Sequence, residues 1–527
     1  MERSSHALGD VFAAHNHSAR PLVPLEDAQV QHFIDHGHLH VSTTLDAAFH
    51  RRLLATTQAL HAADAPGWNG NDCLLINPQL GEVLVDPHLH GALIGLMGRG
   101  YALHPHRHIH VSAPGGSGEQ SIHQDCQDDV YVRNCRPRWC IVMYYAQDVN
   151  LDLGPTAIVP GSHFYIRDRP DDGSREKGHW GEQSEELRCV AAAGTVVIIH
   201  FELWHRATAN LSPDEARYMF KFPVVRMEEP TAPTWACRST PGRVADDGWA
   251  ATADAKSLSV WNWMRGCASE PHPAPPASAA AVSDLLALLH TPREPWCLDA
   301  AFRLARLGSE AVEPLVRALR QEGARALAAL EERGWSHVNP DHTNPAQLVA
   351  RTALVAVGRP AVPALLALLP RTASGSGDGW LVRSAAADAL GDIGPKVAGE
   401  HSTAVVAALR ARLEDGGEVL WVVRNAAEAL GRFGAQAAPA LAALTALIRP
   451  NALNAGAGQG KSYIGVRHNA VLSIGKIGGA VASSALPAGC VEALGDCSRE
   501  AHHVVAGNAR IALGAIALRR DRPYSRR

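Results

Sequence analysis

The sequence predicts a multidomain chain in which a strand-rich mixed domain precedes an all-α repeat solenoid. Three observations predict it. Residues 1–265 carry Gly, Pro, most of the tryptophans and short runs rich in β-branched and aromatic residues. Beyond residue 282 the chain turns Ala- and Leu-rich, with apolar positions at i, i+3 and i+4. Between the two lies ASEPHPAPPASAAAV (268–282), which has the composition of a linker. At 527 residues the chain is also too long for a single core.

Composition narrows the classes. A formal net charge of -4 offers no electrostatic reason for nucleic acid or an anionic membrane as partner. The ten cysteines are scattered, with no C-x-x-C, which reads as reduced thiols in a cytoplasmic protein. MERSSHALGDVFAAHNHSARP lacks the apolar core of a secretory signal, and no window approaches the roughly 18 consecutive apolar residues of a membrane span.

In the first half, WCIVMYY (139–145), GTVVIIHF (194–201) and RYMFKFPVV (217–225) have the length and composition of strands. In the second half one pattern recurs: LDAAFRLARLG (298–308), ARTALVAVG (350–358), VRSAAADALGDIG (382–394), VRNAAEALGRFG (423–434), VRHNAVLSIGKIG (466–478) and NARIALG (508–514). Each reads as a helix closing on Gly, and all but the last are followed by a second helix such as AVPALLALLP. The glycines at 308, 358, 394, 434, 478 and 514 are 50, 36, 40, 44 and 36 residues apart. A helix–turn–helix unit of about 40 residues is the mark of a HEAT-type solenoid. The V-R-x-x-A-A-x-A-L-G units resemble the bacterial HEAT-like repeats of phycobilisome lyases. An ordinary helical bundle is the competing reading. Deoxyhypusine hydroxylase, a HEAT protein with a di-iron centre on His-Glu dipeptides, is a poor match, because no His-Glu dipeptide occurs here and His401, His468, His502 and His503 lack paired acids. The solenoid is expected to serve interaction or packing.

The chemistry concentrates at SIHQDCQDD (121–129). On an extended strand i and i+2 share a face, so His123 and Asp125 present together. A third ligand would complete the two-His-one-carboxylate set that holds Fe(II) on one side and leaves positions open. Alone, H-x-D is a weak signal in a chain with 28 histidines. Downstream, however, LGPTAIVPGSHFY (153–165) contains P-G-S-H, and 193–225 runs from a buried strand to a histidine, a polar loop with Asn210 and an Arg opening the next strand. In order and spacing these segments strongly resemble the phytanoyl-CoA dioxygenase family of Fe(II)/2-oxoglutarate oxygenases, over roughly residues 25–227.

The resemblance implies a double-stranded β-helix, a jelly-roll relative. It implies His123, Asp125 and His205 as iron ligands, with O2 and 2-oxoglutarate as co-substrates and no catalytic residue beyond the metal centre. Arg217 would grip the far carboxylate of 2-oxoglutarate. Gln124 and Tyr144 fall where the family touches the co-substrate, although some relatives carry Trp at the position of Tyr144. Two residues past the distal histidine the family often has a small hydroxyl residue; here it is Ala207, which leaves the contact to neighbouring Thr208 or to another group. Arg217 lies twelve residues after His205, one more than the pattern expects. Asp125 argues against halogenation, since related halogenases carry Gly or Ala there.

Rival ligands exist. His200 lies five residues before His205, within an apolar run, and HPHRHIH (104–110) places four histidines at i, i+2, i+4 and i+6. The second stretch has no matching carboxylate; His110 or Arg107 is expected to line the pocket, with a second metal site as the alternative. The histidines of DHGHLHVS (35–42) are expected to be structural, and Asp128 and Asp129 to be loop or substrate-side groups. The expected organisation is an extension (1–24), the oxygenase domain (25–227), a segment with Trp235, Trp249, Trp261 and Trp263 (228–267), the linker (268–282), the solenoid (283–520) and a basic tail (521–527). The function implied is oxidation of a C–H bond of a small molecule, by hydroxylation, desaturation or cyclisation, with succinate and CO2 as co-products. The competing function is a HEAT scaffold that binds a protein or self-associates, its oxygenase domain modifying that partner or serving regulation.

Overall fold

The computed structural model of the chain describes residues 21–116, 118–125, 135–164, 186–238, 248–267, 279–291, 294–332, 348–371, 379–449 and 461–520. These residues divide into two compact units. One runs to Ala251 and takes in Met264–Gly266; the other comprises Thr252–Trp263 and the described chain from Cys267 onward. Asp128, Asp129, most of the 1–24 extension, nearly all of the linker and the basic tail lie outside the described residues.

The β-branched and aromatic runs of the first unit become strands. In order they are α1 (Asp27–His36), β1 (His38–Ser42), α2 (Ala47–Ala62), α3 (Cys73–Ile76), α4 (Gln79–Leu84), α5 (Pro87–Met97), β2 (Ala102–Leu103), β3 (His108–Ser112), β4 (Trp139–Tyr144), β5 (Thr156–Ile158), β6 (Leu187–Arg188), β7 (Thr195–His200), β8 (His205–Ala207) and β9 (Arg217–Val225). Polar caps fix the helix starts: Asp46 accepts from Phe49 N at 2.6 Å, and Asp86 accepts from His88 N at 3.0 Å ahead of α5. Gly37, at φ 73°, lets α1 end and β1 start one residue later.

Two antiparallel sheets form the jelly-roll-like body. The larger has the order β1-β7-β4-β9-β2, with β3 also on β9, and the smaller is β6-β5-β8. Register decides which side chains share a face, because residues directly opposite each other point the same way. Phe220 of β9 lies opposite Tyr144 of β4, which lies opposite Val196 of β7. This face is covered by helices: the Tyr144 hydroxyl meets His50 Nδ1 of α2 at 2.7 Å. The opposite face of β9 carries Arg217, Met219 and Lys221, paired with Ser112, His110 and His108 of β3. That face holds the site.

In the second unit the repeats become paired helices. A first layer comprises α9 (Glu294–Ala305), α11 (Val349–Val357), α13 (Trp380–Ala398), α15 (Leu420–Arg432), α17 (Lys461–Gly478) and α19 (His503–Arg520), each packed on the next. Their partners are α10 (Val312–Glu332), α12 (Val362–Leu368), α14 (Ser402–Glu414), α16 (Leu441–Ile448) and α18 (Cys490–Cys497). The short helix α6 (Trp249–Thr252) falls almost wholly in the first unit, and α7 (Ala255–Met264) and α8 (Ala279–Leu288) precede the repeats. The helical region thus begins at Ala279, four residues inside the expected linker, because A-A-A-V continues into the apolar pattern of α8.

The glycines do two jobs, and the spacing had merged them. Gly308, Gly358, Gly394 and Gly434 have positive φ and turn the chain between paired helices. Gly391, Gly431 and Gly475, of A-L-G, A-L-G and S-I-G, are instead stacking contacts. A Cβ on Gly391 would stand 2.6 Å from Ala429 Cβ, on Gly431 2.4 Å from Ser473 Oγ, and on Gly475 2.7 Å from Ala512 Cα. Gly514 lies inside α19, so it does not close a helix as expected. Arg383 of the V-R unit reaches Glu418 at 2.7 and 3.1 Å, and the equivalent Arg467 reaches Glu500, pairing each unit with the loop before the next. The four tryptophans of 228–267 are split: Trp235 and Trp249 fall in the first unit, where their indoles donate to Asp27 and Asp35, and Trp261 and Trp263 fall in the second.

Candidate metal centre

Two short backbone segments bring the triad together. His123 and His205 form an antiparallel bridge, each amide donating to the other's carbonyl at 3.0 and 2.9 Å. Opposite pairing turns both rings to one side, with centroids 4.6 Å apart. Asp125, two residues on and past the bridge, brings its carboxylate to the same point. Donor atoms of His123, Asp125 and His205 all lie within 4.8 Å of one another, the one such trio among the described residues. Asp125 Oδ1 is 3.5 Å from His123 Nε2 and 3.7 Å from His205 Nε2.

The tautomers suit a metal. His123 Nδ1 meets Ser121 O at 2.9 Å and His205 Nδ1 meets Leu203 O at 2.8 Å. A carbonyl only accepts, so each Nδ1 carries the proton and each Nε2 lone pair faces the trio. Burial drives the His205 imidazole down to about 4, against the pull of Asp125, which keeps it neutral. Burial pushes the Asp125 carboxyl up, but Lys221, His123 and His205 outweigh it and hold it well below its ordinary value. Burial likewise lowers His123, and its bonds to Asp125 and to the Ser121 carbonyl overturn that and leave it raised. Two Nε2 donors and one carboxylate fit a non-haem Fe(II) ion, with half of an octahedron open for other ligands.

The supporting contacts explain the neighbouring motif. In P-G-S-H, Ser162 Oγ donates to Val159 O at 2.6 Å and accepts from Trp204 N at 3.0 Å, while Val159 N donates to Trp204 O at 2.9 Å. The residue before His205 is clamped on both sides. Gln124 Nε2 donates to Glu202 O at 2.6 Å and fastens the same turn. Asn210 donates to Ser112 O and Glu215 O at 2.9 and 2.8 Å, closing the loop that leads into Arg217.

Arg217 is 1 % exposed. Its Nη2 donates to Ser112 Oγ at 2.5 Å, whereas Nε and Nη1 make no hydrogen bond to described residues. A buried guanidinium with two idle donors is what a carboxylate-bearing ligand would complete. The Tyr145 hydroxyl stands beside it and meets Thr156 Oγ1 at 2.9 Å. Thr156 lies directly opposite Ala207 in the β5–β8 register. The hydroxyl missing at Ala207 is therefore present across the strand pair.

Three of the expected co-substrate residues are turned elsewhere. Tyr144 points to the helix-covered face and His50; strand parity gives the site side to Tyr145. Thr208 has opposite parity to His205 and donates to Pro155 O at 2.6 Å. Gln124 holds Glu202 O, as described. His200 also lies on the helix-covered face, with its ring 4.9 Å from that of His163. HPHRHIH does not run as one strand: β3 begins at His108, and buried His104 packs against Trp139. Only His108 and His110 share the site face. Burial first, then Lys221, His108 and Arg217, push the His110 imidazole down to about 3. Lys221, which sequence reasoning missed, ion-pairs with Asp125 Oδ2; only its alternation with Arg217 along RYMFK could have signalled it.

Comparison with known proteins gives two family matches. Residues 33–219 match the phytanoyl-CoA dioxygenase (PhyH) family model, and residues 382–415 match the PBS lyase HEAT-like repeat. No curated protein matches the chain. Among solved structures, the non-heme alpha ketoglutarate dependent carbocyclase SnoK from nogalamycin biosynthesis is 19% identical, covering 40% of this chain and 88% of its own, at TM-score 0.32. The epimerase SnoN in complex with ferric iron, alpha ketoglutarate and nogalamycin RO is 19% identical, covering 42% and 91%, at 0.30. HygX from Streptomyces hygroscopicus, with nickel and 2-oxoglutarate bound, is 14% identical, covering 42% and 93%, at 0.32. The family matches are thus to the phytanoyl-CoA dioxygenase family over residues 33–219 and to a HEAT-like repeat in the helical half.

Proposed function

We propose that the chain is an Fe(II)- and 2-oxoglutarate-dependent dioxygenase that oxidises a C–H bond of a small molecule, most simply by hydroxylation. The observation that carries the reading is the trio of inward donors, two histidines locked as Nε2 ligands beside one ionised carboxylate. His123, Asp125 and His205 would hold the metal. Bound there with 2-oxoglutarate and O2, Fe(II) supplies the oxidising chemistry, with succinate and CO2 as co-products. The chain's own residues bind and orient. Arg217 takes the far carboxylate of 2-oxoglutarate with the two donors it has idle, and the hydroxyls of Tyr145, Thr156 and Ser112 polarise that end. Lys221 keeps Asp125 Oδ2 occupied, which leaves Oδ1 for the metal. His110, half-buried and with its imidazole pushed down, stands opposite Met219, between Arg217 and Lys221. The scattered cysteine spacing, with no C-x-x-C, supports a reducing, cytoplasmic setting.

Anaerobic addition of 2-oxoglutarate to the Fe(II) protein should produce the weak visible charge-transfer band of a chelate. Asp125→Ala and His205→Ala should abolish it, and His200→Ala and His106→Ala should keep it. A band that survives His205→Ala and disappears with His106→Ala overturns the ligand assignment. The HEAT-like repeat supports a second reading, in which the substrate is a protein held by the solenoid. Succinate release stimulated by lysate proteins, and not by small-molecule pools, would favour it.

A further inference from the structure

A second cluster of histidines stands where α1 turns into β1. His32 and His36 are one helical turn apart on α1, the i, i+4 spacing that places two imidazoles side by side. His38 and His40 are i and i+2 on β1 and share a strand face. Gly37 folds the helix end back over the strand start, and the four rings come together. Ring centroids are 4.5 Å apart for His32–His36, 4.9 Å for His32–His38, 5.7 Å for His38–His40 and 6.3 Å for His36–His38. At the centre His38 is 7 % exposed, and its Nδ1 has no hydrogen-bond partner among the described residues. A buried imidazole nitrogen left without a partner costs about 1–3 kcal/mol unless a ligand meets it.

We propose that His32, His36, His38 and His40 form a histidine-only site for a late first-row cation, Zn2+ first among them, separate from the iron triad. Imidazoles without carboxylates select Zn2+, Ni2+ or Cu2+ over Mg2+ and Ca2+, which require oxygen ligands. Neutral rings are the ligating form. Burial, then His32, His40 and His36, push His38 down to about 3, and burial lowers His32 and His40 as well. In the structure the ring nitrogens do not yet converge on one point as those of the triad do. Closing the site requires side-chain rotation at His32, His36 and His40, all of which face solvent and rotate at little cost.

The site has a mechanical consequence. Carbonyls of the same turn hold the segments that flank His205: Ile34 O meets His163 Nε2 at 3.0 Å, His36 O accepts from Gly161 N at 2.9 Å and Gly37 O accepts from His200 N at 2.7 Å. A cation that ties α1 to β1 would brace the P-G-S-H turn and the end of β7. Binding to the folded state alone also raises stability by mass action.

The test uses the metal-free full-length chain and titration with ZnCl2 against a chromophoric chelator. His205→Ala disables the triad and should still bind one equivalent, with a zinc X-ray absorption signature of imidazole nitrogen only and a melting temperature that rises with added zinc. Adding His36→Ala and His40→Ala, both at solvent-facing positions, should remove that equivalent and the thermal shift. In the wild-type triad background the same pair of substitutions should leave the 2-oxoglutarate charge-transfer band intact. If the His205→Ala protein binds no zinc equivalent, or binds it equally without His36 and His40, the site does not exist. Neither result bears on the iron centre, which is read separately by its own band.

Discussion

Replacing Arg217 by Met separates a ligand anchor from a structural cation, because the two roles predict opposite changes. The guanidinium is 1 % exposed, donates to Ser112 Oγ beside the Tyr145 hydroxyl, and among the described residues leaves Nε and Nη1 without a hydrogen bond. No described carboxylate pairs with it, so in the ligand-free protein it is a buried charge with uncompensated desolvation. Arg217→Met removes that charge and loses one hydrogen bond, worth about 1 kcal/mol. The ligand-free melting temperature should therefore hold or rise. Affinity for 2-oxoglutarate should collapse, since truncating one partner of a buried charge pair costs about 3–4 kcal/mol, or roughly 100- to 1,000-fold in Kd. Arg217→Lys keeps the charge and loses the fork, and should fall between the two. Calorimetric titration of 2-oxoglutarate into the anaerobic Fe(II) protein, with thermal melts of the free protein, measures both. A melting temperature several degrees lower, with a Kd within about threefold of wild type, would show that Arg217 serves the fold and would refute the anchor.

Strand parity yields a paired test: Tyr145→Phe and Thr156→Val should weaken 2-oxoglutarate binding, whereas Tyr144→Phe and Thr208→Val should cost only about 1–2 kcal/mol of stability each, read by calorimetry and denaturation. Ser162→Ala removes the clamp on Trp204 and should lower metal affinity measured by Mn2+ titration, with the triad itself intact. Gly431→Ala forces a Cβ to 2.4 Å from Ser473 Oγ and should destabilise the helical unit by about 1–3 kcal/mol in thermal melts while leaving 2-oxoglutarate affinity unchanged. Acid should destabilise the protein through His38, whose pKa falls from 6.5 to about 3 on folding. The unfolded chain binds the proton first, so the contribution is complete above pH 6.5 and is lost as pH falls toward 3. His38→Gln should flatten the stability–pH curve in that window.

Much of the site was legible along the chain. H-x-D works through strand parity, a local property, and P-G-S-H, Asn210 and Arg217 flank it at separations set by short strands and turns. The HEAT pattern was equally local, since each helix repeats its own apolar stripe. The expected roles of Gln124, Tyr144 and Thr208 went astray for one reason. One residue along a strand reverses the face, and which face is inward depends on partners far away in sequence. Tyr144 looks no different from Tyr145 until Phe220 and Val196 are placed opposite it. Thr156 can stand in for a hydroxyl at Ala207 only because the two are in register across 51 residues of chain. Gly514 was misread because a glycine that ends a helix and one inside a helix are the same letter.

By itself, then, the sequence determined the two fold classes and singled out His123, Asp125, His205 and Arg217 as candidates, because these readings rest on periodicities and spacings that are written along the chain. Tertiary structure alone decided what surrounds them. It set Lys221 on the second oxygen of Asp125, the hydroxyls beside Arg217 and the four histidines gathered at the α1–β1 turn. Those depend on which distant strands and helices pair, and on the close packing that lets only one side of each strand face the site.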